Sequence, residues 1–89
     1  MKIAFDSAKD TANQAKHGVS LSLAETLEWS LALVKPDTRK AYGETRLIGY
    51  APIGARVYCV VFVDREDIRR IISLRKANSR EVQYYAKQI

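Results

Sequence analysis

Basic and aromatic side chains are concentrated near the C-terminus of the chain. Arg75 and Lys76 are followed closely by Arg80 and Tyr84. Guanidinium and ammonium groups neutralise phosphate oxygens, and an aromatic ring stacks on a nucleobase. The cluster therefore indicates a surface for a nucleic acid backbone, with a solvated basic loop before an ordinary surface helix as the alternative.

A strand followed by a helix would position these side chains. Alternating polarity predicts that residues 69–75 form a strand, one face of which carries Arg69, Ile71, Ser73 and Arg75. Asn78 and Glu81 have the spacing of a capping box, so a helix is predicted from about residue 78. Helical spacing then places Lys87 on the same side as Arg80 and Tyr84, opposite an apolar stripe. The stripe consists of Val82, Ala86 and Ile89, with Tyr85 at its flank.

Composition and charge predict one folded domain over residues 1–89 that has an acidic partner. The hydrophobic content of 47% is that of a chain that folds, and 89 residues are enough for one modest core. The net charge of +5 suits nucleic acid, an anionic membrane surface or an acidic protein. No apolar run approaches the ~20 residues that cross a bilayer, and the N-terminus lacks the apolar segment of a signal peptide. We therefore expect a cytoplasmic protein that does not enter a membrane.

The sequence offers few ligands for a metal ion. Cys59 is the only cysteine and His17 the only histidine, which rules out the common Cys/His zinc sites within one chain. Cys59 lies in the apolar run 57–63 and is predicted to be a buried thiol without a disulfide. Lys16 and His17 fall in the last turn of a predicted helix, where positive charge suits the helix dipole.

The N-terminal part of the chain predicts a short strand and a first helix. Residues 2–5 have the polarity of a strand. Asp6 is a suitable N-cap for a helix over residues 7–16, and Gly18 is a suitable left-handed C-cap.

A second helix is predicted to follow. Ser22 and Glu25 have capping-box spacing, and Ser20 is an alternative cap. We expect this helix to end near residues 29–30, after which residues 31–35 become extended.

The remaining chain predicts an antiparallel meander. After a polar loop at residues 38–43, residues 44–51 form a strand and residues 52–55 a hairpin connection. Residues 57–63 are apolar on both faces and therefore form the central strand. Together with the strand at residues 69–75 they make a twisted antiparallel sheet, packed on one side by the two N-terminal helices. The predicted class is α+β, with a C-terminal helix after the sheet.

Several short motifs occur in an order and at a spacing that resemble the BrnT toxin family over nearly the whole chain. They are Phe5-Asp6 with Lys9 and Asn13, Lys16-His17-Gly18-Val19-Ser20, Gly43-Glu44 with Arg46 and Ile48-Gly49, the run 70–77, Arg80-Glu81 and Tyr84-Tyr85. The resemblance implies a RelE-like α+β fold and a ribonuclease activity that stops translation. It also implies a co-encoded BrnA-like antitoxin with a ribbon-helix-helix DNA-binding domain, and hence a 2:2 heterotetramer that contacts DNA only through the antitoxin.

The chemistry that the resemblance implies is RNA cleavage without a metal ion or cofactor. The ribose 2′-OH attacks the adjacent phosphate, a base takes its proton and an acid protonates the leaving 5′-oxygen. The residues implied for the phosphate clamp are Arg75, Lys76 and Arg80. Glu81 or His17 would be the base, and Tyr84 would stack on a base or protonate the leaving group. The residues implied for RNA binding outside the reaction centre are Lys16, Arg46, Arg70 and Lys87.

Two other functions fit the same sequence. A toxin of this fold with another target, such as gyrase, would use the basic face to contact a protein. A nucleic-acid-binding or antitoxin-binding module without catalysis would also use Arg, Lys and Tyr. A ribbon-helix-helix protein encoded next to this chain would favour the toxin functions.

Overall fold

Strand β4 (Arg56–Arg65) lies at the centre of a five-stranded sheet in the computed structural model, which describes residues 1–39 and 41–89. The other strands are β1 (Lys2–Ala4), β2 (Leu33–Pro36), β3 (Leu47–Ile53) and β5 (Ile68–Lys76), in the order β1-β5-β4-β3-β2. The central part of β4 is buried, as the apolar character of both its faces requires. The prediction that residues 57–63 form the central strand is confirmed.

The sheet is mixed, so the prediction of an antiparallel sheet is wrong. β1 pairs in parallel with β5, with Lys2 opposite Ile68, whereas the other neighbouring strands are antiparallel. The amide of Lys2 donates to the carbonyl of Asp67 over 2.8 Å. β1 thus satisfies backbone groups that β5 would otherwise expose at its edge. The short strand was visible in the sequence, but its partner lies more than sixty residues away and has no local signal.

The prediction of a second N-terminal α-helix is also wrong. Helix α1 (Ser7–His17) is followed by two short 3₁₀ helices, Leu21–Thr26 and Trp29–Leu31, in place of a second α-helix. The α+β class stands, because the described residues place one α-helix at each end of a sheet, but the arrangement of helices on the sheet differs from the prediction.

Burial explains why this segment is a 3₁₀ helix. Leu21, Ala24 and Leu27 are the buried residues, and their spacing of three matches the three residues per turn of a 3₁₀ helix. The cap is Ser20 and not Ser22, because the Ser20 hydroxyl accepts from the Ser22 amide over 3.2 Å.

The sheet has two differently covered faces. One, the covered face, packs against the 3₁₀ segment and consists of Val60, Phe62, Ile71 and Leu74, all with 0% exposure. The other, the cleft face, carries Ile48, Tyr50, Cys59 and Val61. Cys59 is a buried free thiol, as predicted. Only part of the cleft face is covered by a helix.

That helix is α2 (Ser79–Gln88), which begins where the capping box predicted. Its buried residue is Tyr85, whose hydroxyl donates to the carbonyl of Leu31 over 2.7 Å. The predicted apolar stripe remains exposed at Val82 and Ile89. α2 is therefore held on the sheet by a narrow contact and leaves much of the cleft face open.

A bulge in β5 overturns the predicted alternation of residues 69–75. Val61 lies opposite Ser73, but Phe62 lies opposite Ile71, so Ile72 is the additional residue. Ile71 consequently belongs to the covered face, whereas Ser73 lies on the cleft face together with Arg75. The predicted sharing of one face by Ile71 and Arg75 is wrong.

The β3–β4 hairpin is shifted by about two residues from its predicted position. β3 continues to Ile53 and β4 begins at Arg56, so the turn consists of Gly54 and Ala55. Gly54 has a φ of 59°, which glycine adopts without steric cost at the first central position of such a turn.

Lys40, part of the predicted loop, lies outside the described residues. No helix in the described part of the chain has the length and apolar character that crossing a membrane requires.

Candidate active site

An ion pair between Arg75 and Glu81 joins the end of β5 to the first turn of α2. Arg75 Nη1 and Nη2 each donate to one carboxylate oxygen of Glu81 over 2.8 Å. Glu81 also accepts from the Asn78 amide over 2.9 Å, and Asn78 Oδ1 accepts from the Glu81 amide over 2.8 Å. The capping box that starts the helix therefore also fixes the carboxylate against Arg75. The pKa of Glu81 is lowered, mainly by the hydrogen bonds from Arg75, so the carboxylate is ionised at neutral pH.

One edge of the Arg75 guanidinium makes no hydrogen bond to any described residue. Nη1 and Nη2 hold Glu81, and Nη1 has a further, longer contact of 3.3 Å with the carbonyl of Lys76. Among the hydrogen bonds of residues 1–39 and 41–89, none uses Nε–H or the second N–H of Nη2. These two donors form a parallel pair of the kind that binds two oxygens of one phosphate, and the side chain is 33% exposed.

The pair lies in a cleft of about 760 Å³ over the open part of the cleft face. Its floor is formed by Tyr50, Cys59 and Ser73. Its walls are α1 on one side and residues 35–39 on the other. The described residues with basic side chains that line it are Lys9, Lys16, His17, Lys35, Arg39 and Arg75. The acidic residues lining it, Asp37 and Glu81, are each paired with an arginine, so the cleft attracts anions.

His17 brings a proton acceptor to this cleft. It lies in the last turn of α1, which ends at Gly18 with a left-handed φ of 71°, as predicted. Burial lowers the pKa of His17, and the positive charges of Lys16 and Arg75 lower it further. Because the ordinary value is 6.5, the imidazole is mostly neutral at pH 7 and can accept a proton.

Asn13 fixes the position of β5 next to Arg75. β1 pairs with β5 only as far as Arg70, and beyond it the edge of β5 faces α1. Asn13 Nδ2 donates to the Leu74 carbonyl over 2.8 Å, and Asn13 Oδ1 accepts from the Leu74 amide over 3.1 Å. Nδ2 also donates to the Val19 carbonyl over 2.8 Å. The buried amide thus replaces a neighbouring strand and joins the helix that carries His17 to the strand that carries Arg75.

The opposite wall depends on a buried carboxylate. The Asp37 side chain has 0% exposure and accepts from Nε and Nη2 of Arg39, each over 2.8 Å. The Tyr42 hydroxyl donates to it over 3.1 Å. The hydrogen bonds from Arg39 hold the pKa of Asp37 well below its ordinary value. Arg39 is thereby placed at the rim of the cleft.

Comparison with protein families assigns the chain to a family. A family model described as "Ribonuclease toxin, BrnT, of type II toxin-antitoxin system" matches residues 5–81. The chain belongs to the BrnT family. No curated protein matches the chain at a significant level. Membership confirms the resemblance seen in the motifs and identifies the chain as a ribonuclease toxin of a type II toxin–antitoxin system, a class of toxin that has an antitoxin partner.

The structure of this BrnT chain brings part of the predicted site together. Arg75, Glu81, His17 and Lys16 all line the cleft. Tyr84 lies beside it, with its ring edge-to-face on Tyr50 at a centroid distance of 5.8 Å. No three His, Cys, Asp or Glu side chains among the described residues are grouped as metal ligands would be.

The other predicted residues lie away from the cleft. Lys76 is opposite Tyr58, which packs against the covered face, so Lys76 is on the other side of β5 from Arg75. Arg70 is opposite Val63, toward the far end of β5. Arg80 and Lys87 are exposed on α2, and neither lines the cleft.

Arg46 is engaged elsewhere. Its guanidinium carbon lies 4.0 Å from the ring centroid of Tyr42. Its Nε is buried 3.4 Å from the Glu44 carboxylate, a contact that lacks hydrogen-bond geometry.

Sequence reasoning missed the residues of the floor and far wall of the cleft. Cross-strand pairing aligns Leu33, Tyr50, Cys59 and Arg75 in one row of the sheet. Lys35 follows Leu33 by two residues and therefore lies on the same face. The alternation in β3 and β4 would have revealed these neighbours only if the register had been known, and the register is set by pairing across the sheet.

Proposed function

We propose that this toxin is a metal-independent endoribonuclease that cleaves RNA in the Arg75 cleft and thereby inhibits translation. The observation that supports it best is the Arg75 guanidinium, which Glu81 holds in place and which lines the same cleft as His17. The BrnT family membership supports ribonuclease activity in general.

In the proposed reaction the ribose 2′-oxygen attacks the adjacent phosphorus, and its proton passes to His17. Arg75 donates from Nε and Nη2 to the phosphoryl oxygens, whose negative charge increases in the transition state. The bond from phosphorus to the 5′-oxygen breaks, and that oxygen takes a proton from water or an ammonium group in the cleft. The products are a 2′,3′-cyclic phosphate and a 5′-hydroxyl.

Glu81 positions Arg75 and does not act as the base. Both of its oxygens already accept hydrogen bonds, and its pKa is lowered by those from Arg75. A carboxylate with such partners is a weak proton acceptor. The neutral imidazole of His17 has no such partner among the described residues and is the better base.

The test is cleavage of a single-stranded RNA by the purified chain in the presence of excess EDTA, with analysis of the new ends. We expect 2′,3′-cyclic phosphate and 5′-hydroxyl ends, and no cleavage where the ribose at the scissile position carries 2′-hydrogen. His17→Ala should slow cleavage by about 10²-fold, the usual contribution of a general base. Arg65→Ala, an exposed charge at the end of β4, is the control and should cleave normally. Ends with 3′-hydroxyl, or full dependence on added metal, would contradict the proposal.

We further propose that this toxin is cytoplasmic and is bound there by a BrnA-like antitoxin with a ribbon-helix-helix domain, as a 2:2 heterotetramer. The net charge of +5 and the basic cleft favour an acidic or mixed-charge partner.

Induction of the toxin alone should stop bacterial growth with loss of intact RNA, and co-expression of the neighbouring gene should restore growth. Growth arrest with intact RNA but altered DNA supercoiling would point to gyrase instead. Light scattering of the co-purified pair tests the stoichiometry, and a 1:1 complex would contradict it.

A further inference from the structure

Beside the Arg75–Glu81 pair, three side chains from three different elements meet at the edge of the cleft. Tyr84 of α2 packs edge-to-face on Tyr50 of β3, at 5.8 Å and an interplanar angle of 70°. The ammonium of Lys35 from β2 lies 5.2 Å from the Tyr84 centroid and 5.8 Å from the Tyr50 centroid. Tyr50 is buried, but Tyr84 is 41% exposed.

Contacts other than this exposed ring also hold α2 on the sheet. Tyr85, with 5% exposure, already anchors the helix through its ring and through the hydrogen bond to Leu31. Glu81 anchors the first turn through Arg75. Tyr84 leaves much of its ring to solvent, at a place where a cation and a buried ring fix its orientation.

The Tyr84 ring lies on the side of α2 that faces the proposed phosphate site at Arg75. Tyr84 follows Glu81 by three residues, so both side chains lie on the same side of α2. Tyr50 and Arg75 lie in the same cross-strand row, on either side of Cys59. A nucleotide whose phosphate binds the free edge of Arg75 therefore has its base, or that of the next nucleotide, beside Tyr84.

We propose that Tyr84, supported by Tyr50, is a stacking subsite for one unpaired nucleobase flanking the scissile phosphate, with Lys35 donating to the edge of that base. This deepens the proposed ribonuclease function and rests on it. The ammonium group offers three donors and no acceptor, which suits the carbonyl and ring-nitrogen acceptors on base edges. A base held in a duplex is stacked on its neighbours and cannot reach the ring. The substrate class is therefore single-stranded RNA.

The test combines an RNA in which one base at a time is removed, leaving the ribose and phosphate, with the Tyr84→Ala and Tyr84→Phe variants. Removal of the stacked base should raise KM by about tenfold or more for the wild type, in line with the loss of one base–aromatic stack. In Tyr84→Ala the same base removal should have little further effect on KM. The effects of the base removal and of the substitution should therefore fail to add, and this should occur at one flanking position only. Tyr84→Phe keeps the ring and should behave like the wild type. Gln83→Ala, the exposed neighbour on α2, is the matched control and should leave the position dependence unchanged.

Two outcomes would overturn the subsite. One is additivity of base removal and Tyr84→Ala at every position, and the other is equal cleavage of the single strand and its fully paired duplex. If the wild type cleaves no RNA, the proposed function fails separately, and the subsite is tested by binding. Anisotropy of a labelled trinucleotide, with and without its central base, should then show weaker binding on base removal for the wild type but not for Tyr84→Ala. Equal affinities for both trinucleotides in the wild type would reject the subsite.

Discussion

The guanidinium of Arg75 has two hydrogen-bonding edges, and Glu81 occupies one of them. Arg75→Ala removes the donors for the phosphate and should lower kcat/KM by about 10²-fold or more, the usual cost of losing one preorganised donor. Arg75→Lys keeps the charge but cannot bind Glu81 and a phosphate through two planar edges, so most of the activity should also be lost. Steady-state cleavage of a defined RNA measures both effects, and thermal melts establish that the variants fold.

Lys76→Ala is the neighbouring comparison, because this charge lies on the other side of β5 from the cleft. It should lower RNA binding slightly and cleavage in the same proportion, through the loss of diffuse attraction. If Lys76→Ala and Arg75→Ala gave equal, small effects, the cleft would be only a basic surface.

The pH dependence of cleavage should report His17. Its pKa is lowered from 6.5 by burial, Lys16 and Arg75, so the neutral base predominates at pH 7. The kcat/KM should therefore be constant near neutral pH and fall tenfold per unit as the pH drops below the lowered pKa. In His17→Ala the residual activity should lack this acid limb. An acid limb that survives in the variant would assign the titration to another group.

At the scale of elements, the joint between α1 and β5 depends on Asn13. Asn13→Ala leaves the buried amide and carbonyl of Leu74 without partners, which should cost about 1–3 kcal/mol in the free energy of unfolding. Urea unfolding monitored by the fluorescence of Trp29 measures the change. Gln14→Ala, which removes only an exposed hydrogen bond to Asp10, should cost less than about 0.5 kcal/mol. Equal values for the two variants would contradict the role of Asn13 as a replacement for a strand.

At the scale of the whole molecule, the far wall of the cleft should make stability depend on pH. The folded pKa of Asp37 lies below its ordinary value near 4, so its ion pair with Arg39 stabilises the fold above that value. This contribution is lost as the pH falls from about 5 toward the folded pKa. Asp37→Asn should therefore be less stable than the wild type by about 1–3 kcal/mol at pH 7, and the difference should shrink at pH 3. Urea unfolding at the two pH values measures it, and a difference independent of pH would contradict the ion-pair account.

The sequence by itself determined the features that depend on residues close together in the chain. The cap of α1 at Asp6 and the capping box of α2 follow from side chains within three residues of the groups they bond. The end of α1 at Gly18 follows from the left-handed φ that glycine adopts there, with its backbone N–H bonded to the carbonyl of Gln14. The central place of β4 follows from its apolar character on both faces. The same local signals placed Arg75 and Glu81 near each other, and the family motifs assigned the chain to BrnT.

Only the tertiary structure decided which elements meet. The parallel pairing of β1 with β5, the bulge at Ile72 and the bond between Asn13 and Leu74 join residues far apart in the chain. The 3₁₀ segment formed because Leu21, Ala24 and Leu27 had to reach the covered face at once, which local propensity does not encode. The register then placed Tyr50 and Lys35 in the same cleft as Arg75 and Lys76 on the opposite face of β5. A shift of one residue reverses every side chain of a strand, so the composition of the cleft is a property of strand pairing and not of the residues' order along the chain.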